Sequence, residues 1–408
     1  TTMTRKEWIL ALALALLLFA AESIAVHEIY ASRFLGGNDF YPRWSGARAL
    51  LLEGRDPYDP ALTEENAAVL DPNDRRTNSF SFAYPLHVIF LMWPLALLPY
   101  SWAYALWMVA VQWAAFLLLA VLLKWVQWRP SPAAAAGLLL GVVAFYPISR
   151  SIILGQFTVH ITLFVALALL AMQRGRDGWA GIFLASTSVK PQMVIFLAPW
   201  LLLWAARRRR WRMHLGLLGA GAAYLAASLL IFPRWPLSFV EDLGRYSDTA
   251  GGRAPLAILV SLIGPDAGAW LQPLVAILLL AAMLWAWRRA WQAGGDDSAY
   301  PFQQALSWTI VVSLLVPFQT GSTGQVLLAI PFFLWLTGLV RSRGRLAAIL
   351  VAAFIVAGGW LLFIITFSGE SPIMFLALPL LALLIVAARE LVPGQMAAQP
   401  ATAGETGA

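Results

Sequence analysis

The sequence contains no cysteine, few charged residues and only four histidines. Without cysteine, the chain cannot form a disulfide bond, a catalytic thiolate or a cysteine-ligated metal site. No two histidines lie two to five residues apart, so a zinc-binding motif has no support either. Charged residues make up 12% of the chain, against about 25% in typical soluble domains. The composition therefore argues against a soluble enzyme that uses thiol or zinc chemistry.

The motifs of soluble nucleotide-dependent enzymes are also missing. There is no glycine-rich phosphate loop with lysine and serine, no nucleophile elbow and no Asp-x-Asp pair to hold a metal. The formal charge is +7, but most basic residues lie between hydrophobic runs. That placement is typical of membrane topology signals and not of a nucleic-acid surface. We expect no nucleic-acid partner and no required metal or other cofactor.

What the chain has in abundance is apolar sequence, with 60% hydrophobic residues. Apolar runs of about 20 residues predict transmembrane helices. Twelve spans are predicted, at 8–27, 102–123, 133–148, 158–172, 178–188, 191–205, 213–232, 270–288, 303–317, 325–340, 346–366 and 372–388. The segment 85–98 is short and contains Pro94, so we expect it to enter the bilayer without crossing it.

Twelve spans place both chain ends in the cytoplasm, and counts from 11 to 13 stay open. With twelve, 17 of the 28 lysines and arginines fall on cytoplasmic connections, as the positive-inside rule requires. We predict an all-α polytopic membrane protein with a single transmembrane domain, residues 1–392, and a disordered tail, residues 393–408. Because arginine greatly outnumbers lysine, a high-GC bacterium and its cytoplasmic membrane are the expected source and location.

The first external loop, residues 28–84, carries nine of the 21 acidic residues. Near its start lies the stretch Asn38-Asp39-Phe40-Tyr41-Pro42-Arg43-Trp44. Asp39 could accept a proton from a hydroxyl as a general base, or simply cap the helix that follows. Gly54 is placed to end that helix, and Asp59 to cap a second one with Pro60 in its first turn. We therefore predict short helices lying on the membrane surface.

Aromatic and polar residues elsewhere are expected to share the external face with Asp39. Tyr41 and Trp44 could stack on a sugar, although most aromatic residues of such a chain serve the membrane belt. The polar candidates on this face are Arg43, His87, Arg150, Gln156, Lys190, Gln192 and Gln319.

Lys190 is the most informative of these candidates. It is one of three lysines and lies between two apolar segments that form a broken hairpin. A lone cation at such a depth is unfavourable unless it meets an anion, so Lys190 either binds phosphate or anchors the chain at the interface. Arg150 either binds phosphate or contacts lipid headgroups, and His87 either lines the site or bonds to backbone.

The order of several short motifs resembles a known family of membrane enzymes. Asp39-Phe40 is followed by residues 49–59 (ALLLEGRDPYD), Tyr84-Pro85-Leu86, residues 94–99 (PLALLP), Gly155-Gln156 and Lys190-Pro191-Gln192. Over roughly residues 8–340, this order resembles the GT-C membrane glycosyltransferases. Within them it is most similar to glycosyltransferase family 87, the polyprenol-phosphate-mannose-dependent α-mannosyltransferases. Two departures, Pro85-Leu86-His87 and residues 317–323 (PFQTGST), bear on the substrate and not on the reaction class.

The resemblance implies a GT-C fold and an inverting glycosyl transfer on the external face. The donor would be a polyprenyl-phosphate sugar, with mannose expected, and the acceptor a hydroxyl of a glycolipid or glycan. Asp39 would be the base, Lys190 and Arg150 would stabilise the departing phosphate, and Tyr41, Arg43, Trp44, His87, Gln156, Gln192 and Gln319 would contact substrate. The main alternative is a transporter or flippase of lipid-linked saccharides, which needs no base. A further alternative is a non-catalytic assembly partner.

Overall fold

The computed structural model describes residues 4–71, 80–249, 255–261, 263–264, 268–294, 296–317, 321–365 and 372–391. All regular secondary structure in these ranges is helical, which confirms the prediction of an all-α polytopic membrane protein. Gln319 and the predicted tail, residues 393–408, lie outside the described residues.

Eighteen α-helices run through the described ranges. The first nine are α1 Arg5–Val26, α2 Tyr41–Glu53, α3 Pro60–Leu70, α4 Ile89–Ala96, α5 Tyr100–Trp125, α6 Pro132–Ala144, α7 Tyr146–Leu154, α8 Thr158–Gln173 and α9 Asp177–Ser186. The others are α10 Leu197–Arg207, α11 Trp211–Ile231, α12 Trp235–Thr249, α13 Pro255–Ser261, α14 Gly268–Ala293, α15 Tyr300–Leu315, α16 Ala329–Arg343, α17 Arg345–Ile365 and α18 Pro372–Leu391. Single turns of 3₁₀-helix connect some of them, including Leu86–Val88, Thr187–Val189 and Pro191–Val194.

Seven of the described helical segments are long and apolar enough to cross a membrane, or eight if the bent pair α6–α7 counts as one span. The pair bends by 56° where α7 begins. Pro147 in the first turn of α7 has no N–H to donate back to the Val143 carbonyl. The Ser149 hydroxyl donates to that carbonyl instead, so the bend is stabilised by a side chain.

The sequence predicted twelve spans, and the other four correspond to shorter helices. They are α8, α9, α10 and α15, of 16, 10, 11 and 16 residues. A helix of 16 residues rises about 24 Å, less than the roughly 30 Å of a hydrocarbon core. The predicted segments at these positions were themselves only 11 to 15 residues long. The predicted count exceeds the number of full-length spans because these short apolar segments were counted as crossing ones.

The first helix, α1, exposes most of its apolar side chains. Ser23 is the one described residue of α1 that is buried, while Leu10 is 71% exposed and Leu17 is 68% exposed. Such a continuous exposed apolar surface is stable only against lipid. Glu22, near the end of α1, has polar partners within the protein: its carboxylate accepts hydrogen bonds from the side chains of Gln112 and Trp113 on α5.

Four helices, α5, α8, α9 and α11, pack side by side in a row that leads toward Lys190. α5 packs along α8, α8 along α9, and α9 along α11. Gly181 allows the last of these contacts, because a Cβ atom built on it would lie 2.0 Å from the Met213 carbonyl oxygen. The close approach of the two backbones holds α9, and with it the chain that leads to Lys190, in a fixed position.

The predicted external loop contains two helices with the expected ends. Gly54 ends α2 in the left-handed conformation with φ of +66°. The Asp59 side chain caps α3 by accepting a hydrogen bond from the Ala61 N–H, with Pro60 in the first turn. Asp39, however, does not cap α2: the residue before the helix is Phe40, and no side chain caps it. The segment 85–98 contains the eight-residue helix α4, too short to cross a membrane alone.

Candidate active site

Five segments that are distant in sequence meet near the start of α5. They contribute Asp39 and Arg43, Tyr84, Gln156, Lys190 and Tyr246, here called the polar cluster. The segments are the loop and first turn of α2, the turn before Leu86–Val88, the end of α7, the break between α9 and α10, and α12. The fold therefore brings a carboxylate and two cations to one place.

Asp39 lies in a turn that its neighbour Phe40 fastens to the core. Phe40 is fully buried and stacks on Trp107 with ring centroids 5.8 Å apart. Gly155 has a φ of +71°, and a Cβ atom on it would lie 2.4 Å from the Phe40 Cβ atom. Asp39 itself is partly buried, and its carboxylate makes no hydrogen bond with another described residue. The charge of Asp39 nevertheless acts on Lys190.

Lys190 occupies the break that the sequence predicted. The 3₁₀ turns Thr187–Val189 and Pro191–Val194 flank it, and no regular helix passes through this point. Its ammonium group donates to the Oε1 atom of Gln156 at 3.1 Å. The same oxygen accepts the Tyr84 hydroxyl at 3.2 Å. Because an ammonium group has three N–H donors and Gln156 is its one hydrogen-bond partner among the described residues, two donors are left to bind another group.

Arg43 is the second cation of the cluster. It is 4% exposed, and its guanidinium carbon lies 4.5 Å from the centre of the Tyr84 ring. Its Nε atom is buried and has no hydrogen-bond partner in the part of the chain that the structure describes. A buried donor without a partner is unfavourable, so this edge of the guanidinium is suited to meet an acceptor from a ligand.

The charges of the cluster act on one another. Burial lowers the pKa of Lys190, while Asp39 and Tyr246 raise it and Arg43 lowers it further. Burial also raises the pKa of Tyr84 to about 12, so its hydroxyl stays protonated and donates to Gln156. Two cations that destabilise each other, with one carboxylate nearby, form a site that favours an additional anion.

A comparison with protein families identifies the class. The model of glycosyltransferase family 87 matches residues 82–317, more than half of the chain. The chain belongs to glycosyltransferase family 87. It is thus a membrane glycosyltransferase, as the sequence motifs indicated. Comparisons with curated proteins and with solved structures found no match. The family match includes Tyr84, Gln156, Lys190 and Tyr246 but begins after Asp39 and Arg43.

Tyr41 and Trp44, predicted to contact substrate in this family 87 enzyme, lie beside the cluster in an aromatic group. Both rings contact Tyr100 at the start of α5, at 4.8 Å and 5.2 Å between centroids. The Trp44 indole N–H donates to the Leu95 carbonyl at 3.1 Å. Both side chains are partly buried, so they could offer a ring surface while being held in place. Their role in binding stays a prediction.

His87 contacts the chain just before Lys190, and Gln192 follows Lys190 by two residues. The His87 imidazole bonds to the Ser188 hydroxyl at 3.1 Å and stacks on Tyr224 at 5.3 Å. Burial lowers the pKa of His87 to about 4, so the ring is neutral at pH 7. The partner of His87 is therefore the Ser188 side chain, and not the backbone group that was one of the two predicted possibilities. Gln192 is partly buried in the turn Pro191–Val194.

Arg150 lies on α7 and is partly buried, and its charge acts on Tyr104 of α5. The cation whose charge acts directly on Lys190 is Arg43. Arg43 was predicted only as a substrate contact. Arg43 lies in the first turn of α2, four residues after Asp39, which itself precedes the helix. A phosphate-binding role for Arg150 stays a prediction.

Tyr84, Asp242 and Tyr246 were not predicted as site residues. Asp242 is fully buried and accepts the Ala83 N–H at 2.9 Å, so α12 holds the turn that carries Tyr84. Ala83 has a φ of +47°, a conformation that needs such support. No signal in the sequence linked α12 to this turn, because the contact joins segments about 160 residues apart. Within the described ranges no group of three His, Cys, Asp or Glu side chains could hold a metal.

Proposed function

We propose that this glycosyltransferase moves a sugar from a polyprenyl phosphate to a hydroxyl of a glycolipid or glycan acceptor, with inversion at the anomeric carbon. The observation that supports the proposal is the convergence of Asp39, Arg43 and Lys190 in one partly buried cluster. A sugar phosphate donor and a hydroxyl acceptor require one base and at least one group that binds a growing negative charge.

In the proposed reaction the acceptor oxygen attacks the anomeric carbon while Asp39 takes its proton. The bond between that carbon and the phosphate oxygen breaks, and its electron pair stays on the phosphate. The leaving group thus changes from a phosphodiester to a phosphate monoester, which gains negative charge. The two N–H donors of Lys190 and the Nε donor of Arg43 that have no partner among the described residues would stabilise this charge. Attack and departure on opposite sides invert the anomeric centre.

The remaining members of the cluster would position these groups. Gln156 holds the Lys190 ammonium through its amide oxygen, and Tyr84 holds Gln156. Tyr41 and Trp44 would supply an aromatic surface for the sugar. Their rings are partly buried and contact Tyr100, which would hold that surface in place. His87, Gln192, Arg150 and Gln319 are proposed as further substrate contacts. No step of this mechanism requires a metal.

We further propose mannose as the donor sugar and the external face of a bacterial cytoplasmic membrane as the site of reaction. The distribution of lysine and arginine along the sequence supports this orientation, since the predicted connections opposite Asp39 carry most of them. With that orientation, the donor lipid would reach the polar cluster from the outer leaflet of the bilayer.

Transfer of label by the purified chain tests the proposal directly. The protein in lipid would receive radiolabelled polyprenyl-phosphate mannose and a membrane glycolipid extract, with Asp39→Asn compared with the wild type. Because a general base contributes about 10²–10⁴ in rate, we expect transfer to fall by about 10³-fold while saturable donor binding persists. Glu64→Gln is the matched control, since Glu64 is an exposed acid on α3, and it should leave transfer unchanged.

Three outcomes would contradict parts of the proposal. Equal transfer by wild type and Asp39→Asn would remove Asp39 as the base. Asp242 would not replace it, because that carboxylate is fully buried and bound to the Ala83 N–H. Donor binding without any transfer in the wild type would favour a different acceptor or a transport role. Transfer from a nucleotide sugar, but not from the lipid-linked donor, would overturn the proposed substrate class.

A further inference from the structure

A basic cavity lies far from the polar cluster, where α5 and α8 both end. Its volume is about 760 Å³, within the range of about 300–1,000 Å³ typical of small-ligand sites. The cations Lys124, Arg129 and Arg174 line it together with Gln173, Trp128 and Leu123. All three cationic side chains are exposed. The cavity therefore combines positive charge with an apolar wall.

The cavity is separated from the polar cluster by the length of two helices. α5 begins at Tyr100, next to Tyr41, and its 26 residues end beside the cavity, a helix length of about 39 Å. α8 begins two residues after Gln156 and also ends at the cavity. A group bound here cannot touch Asp39 or Lys190, so the cavity is a separate site.

The three cations have no acidic partner to explain their convergence. None of them forms an ion pair with another residue in the described ranges, and no acidic side chain lines the cavity. Arg210 behaves differently, because its guanidinium contacts the carboxylates of Asp177 and Asp297. Like charges that converge without a counterion repel each other, unless an anion from outside the chain joins them.

Capping of the two helices does not explain these cations either. At the end of α5 the backbone N–H of Trp128 bonds to the Leu123 carbonyl at 2.9 Å, with Gln127 in the left-handed conformation. At the end of α8 the N–H of Arg176 bonds to the Ala171 carbonyl at 2.8 Å. Since backbone groups already satisfy these terminal carbonyls, the cationic side chains are not needed as caps.

We propose that this cavity binds the phosphate group of an anionic phospholipid from the leaflet opposite the polar cluster. Topology requires basic residues on one face of the membrane but does not require them to surround a cavity. Lys124, Arg129 and Arg174 would contact the phosphate, as basic pockets between transmembrane helices do with anionic headgroups. Leu123 and Trp128 would pack against the apolar part of the lipid, a position that tryptophan favours at the membrane interface.

Lipid binding by charge variants tests this proposal. The full chain in phosphatidylcholine nanodiscs would be titrated with phosphatidylglycerol, and retained lipid would be quantified by mass spectrometry after washing. We expect the triple variant Lys124→Gln, Arg129→Gln, Arg174→Gln to bind phosphatidylglycerol at least about tenfold more weakly than the wild type. The control removes equal charge where α16 ends and α17 begins, by Arg341→Gln, Arg343→Gln and Arg345→Gln, and should change binding less than about twofold.

Each of three results would overturn the proposal. Equal weakening in both triple variants would show that the lipid responds to net charge and not to the cavity. Displacement of the lipid by millimolar inorganic phosphate would remove the phospholipid as occupant and assign the same phosphate chemistry to a soluble ligand. If the triple variant does not fold, Arg174→Gln alone replaces it, with an expected weakening of about threefold. Unchanged binding in that single variant would equally contradict the proposal.

Discussion

Two cations on either side of α10 are held in opposite ways. Arg210 follows the helix, and its guanidinium contacts the carboxylates of Asp177 and Asp297 as well as the Met172 carbonyl. Lys190 precedes the helix and donates to one neutral oxygen, that of Gln156. Both side chains are largely removed from water. One cation is therefore saturated by the protein, while the other keeps donors available.

This difference in hydrogen-bond partners indicates a structural role for Arg210 and a ligand-binding role for Lys190. Desolvation of a cation is offset only when acceptors and opposite charges surround it. For Arg210 the chain supplies all of these, so its contribution is to stability. For Lys190 the chain supplies an amide oxygen and a carboxylate that lies farther off, and a phosphate would complete the site.

Removing the Lys190 charge should have the largest effect on catalysis, without the loss of stability expected when the Arg210 charge is removed. We expect Lys190→Gln to lower kcat by about 10²–10³-fold, because an electrostatic contact with the leaving group acts mostly in the transition state. The thermal midpoint should stay the same or rise, since a buried charge with few partners is removed. The measurement is label transfer together with a melting curve. Arg234→Gln, which removes an exposed cation just before α12, is the matched control and should affect neither.

A large fall in the melting temperature of Lys190→Gln would contradict this assignment. Lys190 would then be a structural anchor at the interface, the alternative that its position in the sequence left open. Unchanged transfer would lead to the same conclusion. The two cations flanking α10 would then differ in the number of their partners and not in their role.

Local signals in the sequence were enough to predict several parts of this site. Gly54 and Asp59 were correctly assigned to helix ends, because turn and cap chemistry depends on a few adjacent residues. The break at Lys190 was also predicted, because this lone lysine lies between two short apolar segments. In each case the physical cause is contained within a short stretch of chain.

Contacts between distant segments could not be predicted in the same way. The sequence did not indicate that Gln156 joins Lys190 to Tyr84, or that Asp242 on α12 supports the turn before Tyr84. These contacts depend on how α7, α9 and α12 pack, and apolar composition does not determine that packing. The lengths of α8 and α15 were predicted closely, but both were counted as spans although 16 residues are too few to cross a bilayer alone.

Removing the Arg210 charge should affect stability instead of catalysis. Arg210→Gln leaves Asp177 and Asp297 without their shared cation. We expect the free energy of unfolding to fall by about 2 kcal/mol, below the cost of breaking a fully buried pair because this side chain is partly exposed. Melting curves measure the loss, and label transfer per folded molecule should equal that of the wild type. A loss of kcat in Arg210→Gln at unchanged stability would contradict the assignment of Arg210 to a structural role.

The pH dependence of transfer should show the smallest effect. Burial lowers the pKa of Lys190 below the ordinary lysine value of 10.5. Because the protonated form binds the leaving phosphate, kcat/KM should decline as pH rises through that lowered pKa. An arginine at this position keeps its charge at every accessible pH. In Lys190→Arg, which should retain part of the activity, the alkaline decline should therefore move to higher pH. Identical alkaline profiles in wild type and variant would show that another group titrates, and that the donors left free on Lys190 do not act on the phosphate.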